Sequence, residues 1–256
     1  MAMRRLLCFL LFFLLIVPAI PKAAECTASS GAGTAALVEL YTSEGCSSCP
    51  PAERWLASLD SRYPAGKIVP LALHVDYWDY IGWKDPYAKR EFSLRQRKFS
   101  QLQRMALVYT PQVLLQGRDF RRWGAKAFDE ALAKINAQPA RAKLKLTVAG
   151  AEPGALQVEA LAELLQWPAE ADLYVAAYRS GLQSQVKAGE NRGRLLTHDY
   201  VVLEWQGPFA LAGKTLSERR KVPLLPGATP SNSGVAAFVQ ERRTGEVLQA
   251  LLRSAC

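Results

Sequence analysis

Histidine is scarce: the 256 residues hold two, His74 and His198. A structural zinc site takes four ligands. Cys46 and Cys49 form one close pair, and the chain has no second, so a zinc reading of that pair is set aside. Internal repeats and low-complexity tracts are absent, and a composition 50% apolar and 21% charged excludes a disordered or collagen-like chain. The formal charge is +9, yet the basic residues scatter and no nucleic-acid motif or set of stacking aromatics accompanies them. The densest group, Lys89, Arg90, Arg95, Arg97, Lys98 and Arg104, reads as a solvated helix face. Gly189 to Arg194 lacks phosphate-loop spacing and reads as a polar turn feeding a strand.

Long apolar runs are also lacking, with one exception. Leu6 to Ile16 is unbroken and follows Arg4 and Arg5. A basic start and a short apolar stretch make a secretory signal peptide, taken as residues 1–24. The run is short for a bilayer span, which needs about 20 apolar residues; an uncleaved anchor is the alternative. The expected setting is secreted or periplasmic, with no stable membrane span after cleavage. Beyond Cys8 in the leader, four cysteines remain. An even number in an exported chain suggests two disulfides. Cys46 and Cys49 are close enough to pair locally, which leaves Cys26 and Cys256 as a staple between the chain ends.

The hydrophobic period divides the remainder near Pro139. Ala35 to Tyr41 and Ile68 to Val75 read as buried strands, Ala52 to Leu59 and Pro86 to Arg104 as helices. Val113 to Leu115, a turn at Gln116-Gly117-Arg118 and a helix over Ala125 to Ala137 follow. Beyond Pro139, alternating runs such as Lys143 to Val148, Asp172 to Tyr178 and Tyr200 to Trp205 are punctuated by Gly, Pro and Asn, the pattern of a β-sandwich.

A strand, a turn, Cys46-Ser47-Ser48-Cys49 and a helix form the strongest motif. Unpaired amides and the positive end of the helix dipole favour a thiolate at such a place. Cys46 is therefore the candidate nucleophile and Cys49 the resolving thiol; a purely structural disulfide is the competing reading. Thr110-Pro111 precedes the third strand, where thioredoxin-fold redox proteins carry a cis-proline, and is expected to be cis. Glu39, on the strand leading to the motif, is a candidate proton relay to Cys49, or a strand glutamate reaching water. Asp76, Trp78, Asp79 and Trp83 lie in an aromatic–acidic stretch at the C-terminal end of the second strand, where ligands of open α/β sheets bind. With Thr110 they are candidate substrate-groove residues, or else packing between the two halves. His74 reads as a core histidine.

Val38 to Ala52, His74 to Pro86, Arg95-Gln96-Arg97, Tyr109 to Gln112 and Gly189 to His198 together resemble a secreted, thioredoxin-like bacterial family known as a domain of unknown function. The resemblance implies an α/β thioredoxin-like domain over 35–138 followed by an all-β sandwich-like domain over 140–256. Gly45 stands where thioredoxins carry an aromatic before the first cysteine. The function expected is an exported thiol–disulfide oxidoreductase, with no diffusible cofactor, working on protein thiols or disulfides with a redox partner. The alternatives are a non-catalytic binding protein whose 46–49 bond is structural, and a copper carrier using Cys46, Cys49 and His74, since soft thiolates suit Cu(I).

Overall fold

The computed structural model describes residues 25–152, 154–166, 170–223 and 227–255. The expected signal peptide, and with it Cys8, lies outside the described residues, as does Cys256. Strand accounts for 45% of the described residues and helix for 19%.

The first half runs β1 (Glu25–Ser29), β2 (Ala36–Thr42), α1 (Cys49–Ala57), α2 (Leu59–Arg62), β3 (Ile68–His74), a 3-10 helix (Asp76–Ile81), α3 (Arg90–Leu102), β4 (Gln112–Leu115), β5 (Arg118–Asp119) and α4 (Lys126–Asn136). Among the described residues the regular elements of the second half are all strands: β6 (Ala142–Glu152), β7 (Ala155–Leu164), β8 (Ala171–Arg179), β9 (Leu182–Gln185), β10 (Leu195–His198), β11 (Val201–Ala210), β12 (Thr215–Pro223), β13 (Ser233–Glu241) and β14 (Val247–Ser254).

These strands form an eight-stranded sheet ordered β14-β13-β8-β11-β3-β2-β4-β5, a four-stranded sheet ordered β1-β6-β7-β12, and the β9–β10 pair. The expected α/β thioredoxin-like domain followed by an all-β sandwich is therefore corrected. One large mixed sheet takes strands from both sides of Pro139, and the whole is dominated by strand. Physically, the difference lies at the outer edge of β3. That edge accepts β11 in parallel, with Val201 opposite Ala72 and the Ala72 amide donating to the Tyr200 carbonyl at 2.8 Å. Pro70, two residues earlier in β3, has no amide to give on that side, and the pairing with β11 begins only beyond it. The segment Glu25–Ser29 forms β1 and pairs antiparallel with β6.

Alternation within strands distributes the core. Leu37 and Tyr41 of β2 join Leu71, Leu73, Tyr174 and Phe238 on one face of the large sheet, covered by Phe92 and Phe99 of α3. Val38 and Leu40 point the other way, to Trp55 and Leu56 of α1 and Phe128 of α4. Further along that second face, Leu173, Val175, Val235 and Val239 meet Leu144, Leu146 and Val158 of the four-stranded sheet. Gln116 and Gly117 both have positive φ, 52° and 76°, as a two-residue hairpin turn of the favoured twist requires.

The basic face expected of α3 is real for Arg90, Arg97 and Lys98, which are exposed. Arg95 departs from it. It is buried, its Nε donates to Glu39 Oε1 at 2.6 Å, and its guanidinium lies 4.7 Å from the Trp205 ring and 4.8 Å from Phe99.

Candidate functional site

Cys46 and Cys49 are joined by a disulfide with Cα atoms 5.5 Å apart. Cys49 is the first residue of α1, with prolines in the first turn, where no amide partner is lost. The Ser48 hydroxyl lies 3.3 Å from Cys46 Sγ. Both cysteines are buried, Cys46 at 1% exposure and Cys49 at 0%, whereas Ser47 and Ser48 face solvent.

A strap from the second half lies against this turn. The Asn191 side-chain amide donates to the carbonyls of Glu44 and Cys46 at 2.8 and 2.9 Å, and Glu190 accepts from the Ser47 amide and hydroxyl. Ile81 fits between two glycines: a Cβ at Gly45 would meet its Cδ1 at 3.0 Å, and one at Gly189 would meet it at 2.7 Å. A Cβ at Gly45 would also meet Trp78 Cβ at 3.3 Å, so a side chain in place of the glycine would press on the 3-10 helix.

Next to the cysteines lies a cluster of buried ionisable groups. His198 bridges two carboxylates, with Nε2 at 3.0 Å from Glu44 Oε1 and Nδ1 at 2.8 Å from Glu53 Oε2. Glu53 lies one turn beyond Cys49 on α1, and its other oxygen accepts from Thr42 at 2.5 Å. His74 Nδ1 lies 2.7 Å from Asp85 Oδ2, which also accepts from the Glu44 amide at 2.9 Å. The two imidazoles meet edge to face, 5.0 Å apart. Burial alone would lower the pKa of His198, but the hydrogen bonds to Glu44 and Glu53 outweigh it and push the value up to about 10. Burial would raise Glu53; the hydrogen bond and charge of His198 prevail and lower it. Asp85 is lowered too, because the His74 ring and two backbone amides offset its burial.

The positions singled out from sequence divide. Thr110–Pro111 is cis, as expected. Gln112 pairs with Tyr41, so the Thr-Pro step lies alongside the end of β2, just before the cysteine turn. Pro111 lines a groove with Leu107, Tyr109, Val113, Arg121 and Trp123. Trp78 and Trp83 turn their ring nitrogens inward, to the Thr110 hydroxyl at 2.7 Å and Glu44 Oε2 at 2.6 Å. Asp76 binds the Ser93 hydroxyl and Asp79 accepts the Asp85 amide. Asp76, Trp78 and Trp83 pin the 3-10 segment to α3, to the loop before β4 and to the cysteine turn, while Asp79 closes the segment on itself; all of these contacts lie within the first half. Glu39 does not face the cysteines: it shares its sheet face with α3, is locked to Arg95, and lies on the opposite side of β2 from α1. Cys26 is disulfide-bonded; its expected partner, Cys256, lies outside the described residues.

Sequence reading passed over Glu44, Glu53, Asp85 and Asn191. Glu53 gave a local sign, a charged residue among the apolar positions of α1.

Two solved structures resemble this fold. An X-ray crystal structure of a protein from Agrobacterium tumefaciens superposes with a TM-score of 0.64 at 25% identity, over 89% of this chain and 97% of that one. HBP35 of Porphyromonas gingivalis gives 0.65 at 16% identity, over 88% of this chain and 76% of the other. No curated protein matches the chain. The family model described as protein of unknown function (DUF1223) matches residues 37–240, and the chain belongs to that family.

Proposed function

We propose that Cys46 and Cys49 are a thiol–disulfide exchange centre acting on protein thiols or disulfides in an exported setting. The observation that carries this reading is the Cys46–Cys49 disulfide at the N-terminal end of α1, with the Ser48 hydroxyl beside Cys46 Sγ. That hydroxyl and the unpaired amides of the first turn would hold a Cys46 thiolate.

In the reducing direction, the Cys46 thiolate attacks one sulfur of a substrate disulfide. A mixed disulfide forms and the first substrate thiolate leaves. The Cys49 thiol then loses its proton and attacks Cys46 Sγ, which closes the 46–49 bond and releases the second substrate thiolate. Two electrons pass to the substrate, and two protons make its thiols. A dithiol partner reverses the change at Cys46–Cys49 to complete the cycle, and substrate oxidation is the same sequence run backwards. Glu39 has no part in this, being paired to Arg95; Glu53, one turn along α1 from Cys49, is the nearer acid in sequence. The groove at Pro111, largely apolar but with Arg121 in its wall, suits an extended substrate segment.

A second reading, a binding protein with a structural 46–49 bond, is favoured by the burial of both cysteines beneath the Gly189–Arg194 strap. The two are separated by trapping. Under exchange, reduced Cys49→Ser protein mixed with glutathione disulfide accumulates a Cys46–glutathione mixed disulfide, resolved by mass spectrometry, and Cys46→Ser protein captures far less. Absence of an adduct on folded Cys49→Ser protein supports the structural reading.

A further inference from the structure

We propose that Glu53, His74 and His198 form a binding site for a divalent transition-metal ion of the zinc type. One ligand atom from each residue lies within 4.8 Å of the other two, and all three residues are buried.

The first argument is an orphaned nitrogen. His74 Nε2 is buried with no hydrogen-bond partner among the described residues. Leaving a buried polar atom unsatisfied forfeits its hydration without recompense, so native interiors rarely do so. His74 Nδ1 is committed to Asp85; donation there leaves Nε2 with its lone pair, the form in which imidazole binds a metal.

The second argument is the shell around the three residues. A metal-binding histidine usually gives its other ring N–H to a carboxylate or carbonyl, which fixes the tautomer and ring orientation. Both imidazoles have that partner, Asp85 for His74 and Glu44 for His198. The partners are themselves anchored: Asp85 by the amides of Glu44 and Tyr87, Glu44 by Trp83 and Ser184. Glu53 is oriented by the Thr42 hydroxyl. With Nε2 of His198 held by Glu44, its Nδ1 faces Glu53, and a cation there would take the place of the proton they share.

Charge points the same way. Glu44, Glu53 and Asp85 converge on two imidazoles, and a dication would offset most of their negative charge. Two ring nitrogens and one carboxylate oxygen are the protein ligand set of one class of catalytic zinc sites. Imidazole ligands suit zinc, iron or copper, whereas calcium and magnesium take oxygen. The cysteine sulfurs are not in the set, so the site is independent of the exchange reading.

The test uses the mature protein with its disulfides oxidised, so that no Cys46 or Cys49 thiolate can bind metal. After chelator treatment it is titrated with zinc and, separately, with cobalt(II). The expected result is saturable binding of one equivalent, with X-ray absorption of the zinc-loaded protein showing imidazole and oxygen ligands and no sulfur. Asp85→Asn, which takes the charge from the group holding His74 Nδ1 and leaves the three proposed ligands in place, is expected to weaken binding about 10- to 100-fold. Failure of folded wild-type protein to bind either metal would overturn the proposal. So would sulfur ligation, or unchanged affinity in folded Asp85→Asn. Should that variant not fold, the wild-type titration and absorption spectra still decide.

Discussion

Glu53 and His198 stand 145 positions apart in the chain, yet their side chains meet at 2.8 Å in the interior. The bond joins α1 to the end of β10 and so ties the helix that begins at Cys49 to the second half of the protein. Removing one partner of a buried charged pair leaves the other uncompensated and typically costs about 3–5 kcal/mol. Glu53→Leu is therefore expected to destabilise the protein by about that amount in urea denaturation. A loss well below 1 kcal/mol would show that His198 needs only Glu44.

The same contact sets a pH dependence for metal-free protein. The pKa of His198 is raised, to about 10, so its contribution to stability is complete below the ordinary histidine value of about 6.5. It is lost progressively as pH rises from there to about 10. The His198 ring proton resonances should not titrate between about pH 5 and 8. A midpoint near the ordinary value would contradict the bridged arrangement.

Arg95 and Glu39 make a second buried pair, roofed by aromatic rings. Arg95→Met should cost about 3–5 kcal/mol by leaving Glu39 charged and alone. Adding Glu39→Leu should recover much of that loss, because the unpaired charge goes too. Double-mutant denaturation curves measure it; strict additivity would mean that the pair does not interact.

Much of this arrangement was legible in the sequence, and the failures have physical causes. Period and punctuation located β2, β3, α3, α4 and most later strands, because those patterns are local. The partner of a strand is not local: nothing in Tyr200 to Trp205 says that it will lie beside β3, and that pairing replaced the expected two-part fold with a shared sheet. Glu39 was recognised as a notable acid on β2, but all seven residues of that strand are buried. Its own pattern therefore could not tell which face α1 would take. Of the two histidines, the scarcest feature of the composition, His74 read singly as a core residue and His198 only as the end of a polar turn and strand. Their meaning came from the fold, which brings them 5.0 Å apart with three carboxylates around them.

The strap predicts a rate. Asn191 holds the carbonyls of Glu44 and Cys46, two hydrogen bonds worth about 1 kcal/mol each. If the strap must lift before a reductant reaches the buried disulfide, Asn191→Ala should speed reduction by dithiothreitol roughly tenfold or more. Stopped-flow thiol trapping reads this directly. An unchanged rate would mean that Cys46 is reached by another route.

The central claim is that the Cys46–Cys49 bond is made and broken in use. Its most direct test is the reduction potential of that pair, in mature protein carrying Cys26→Ser and Cys256→Ser, equilibrated in glutathione or dithiothreitol buffers and quenched by thiol trapping. The account predicts a value between about −120 and −270 mV with rapid exchange, the range of known redox catalysts. A value below about −300 mV with slow exchange is that of a structural bond, and would contradict it.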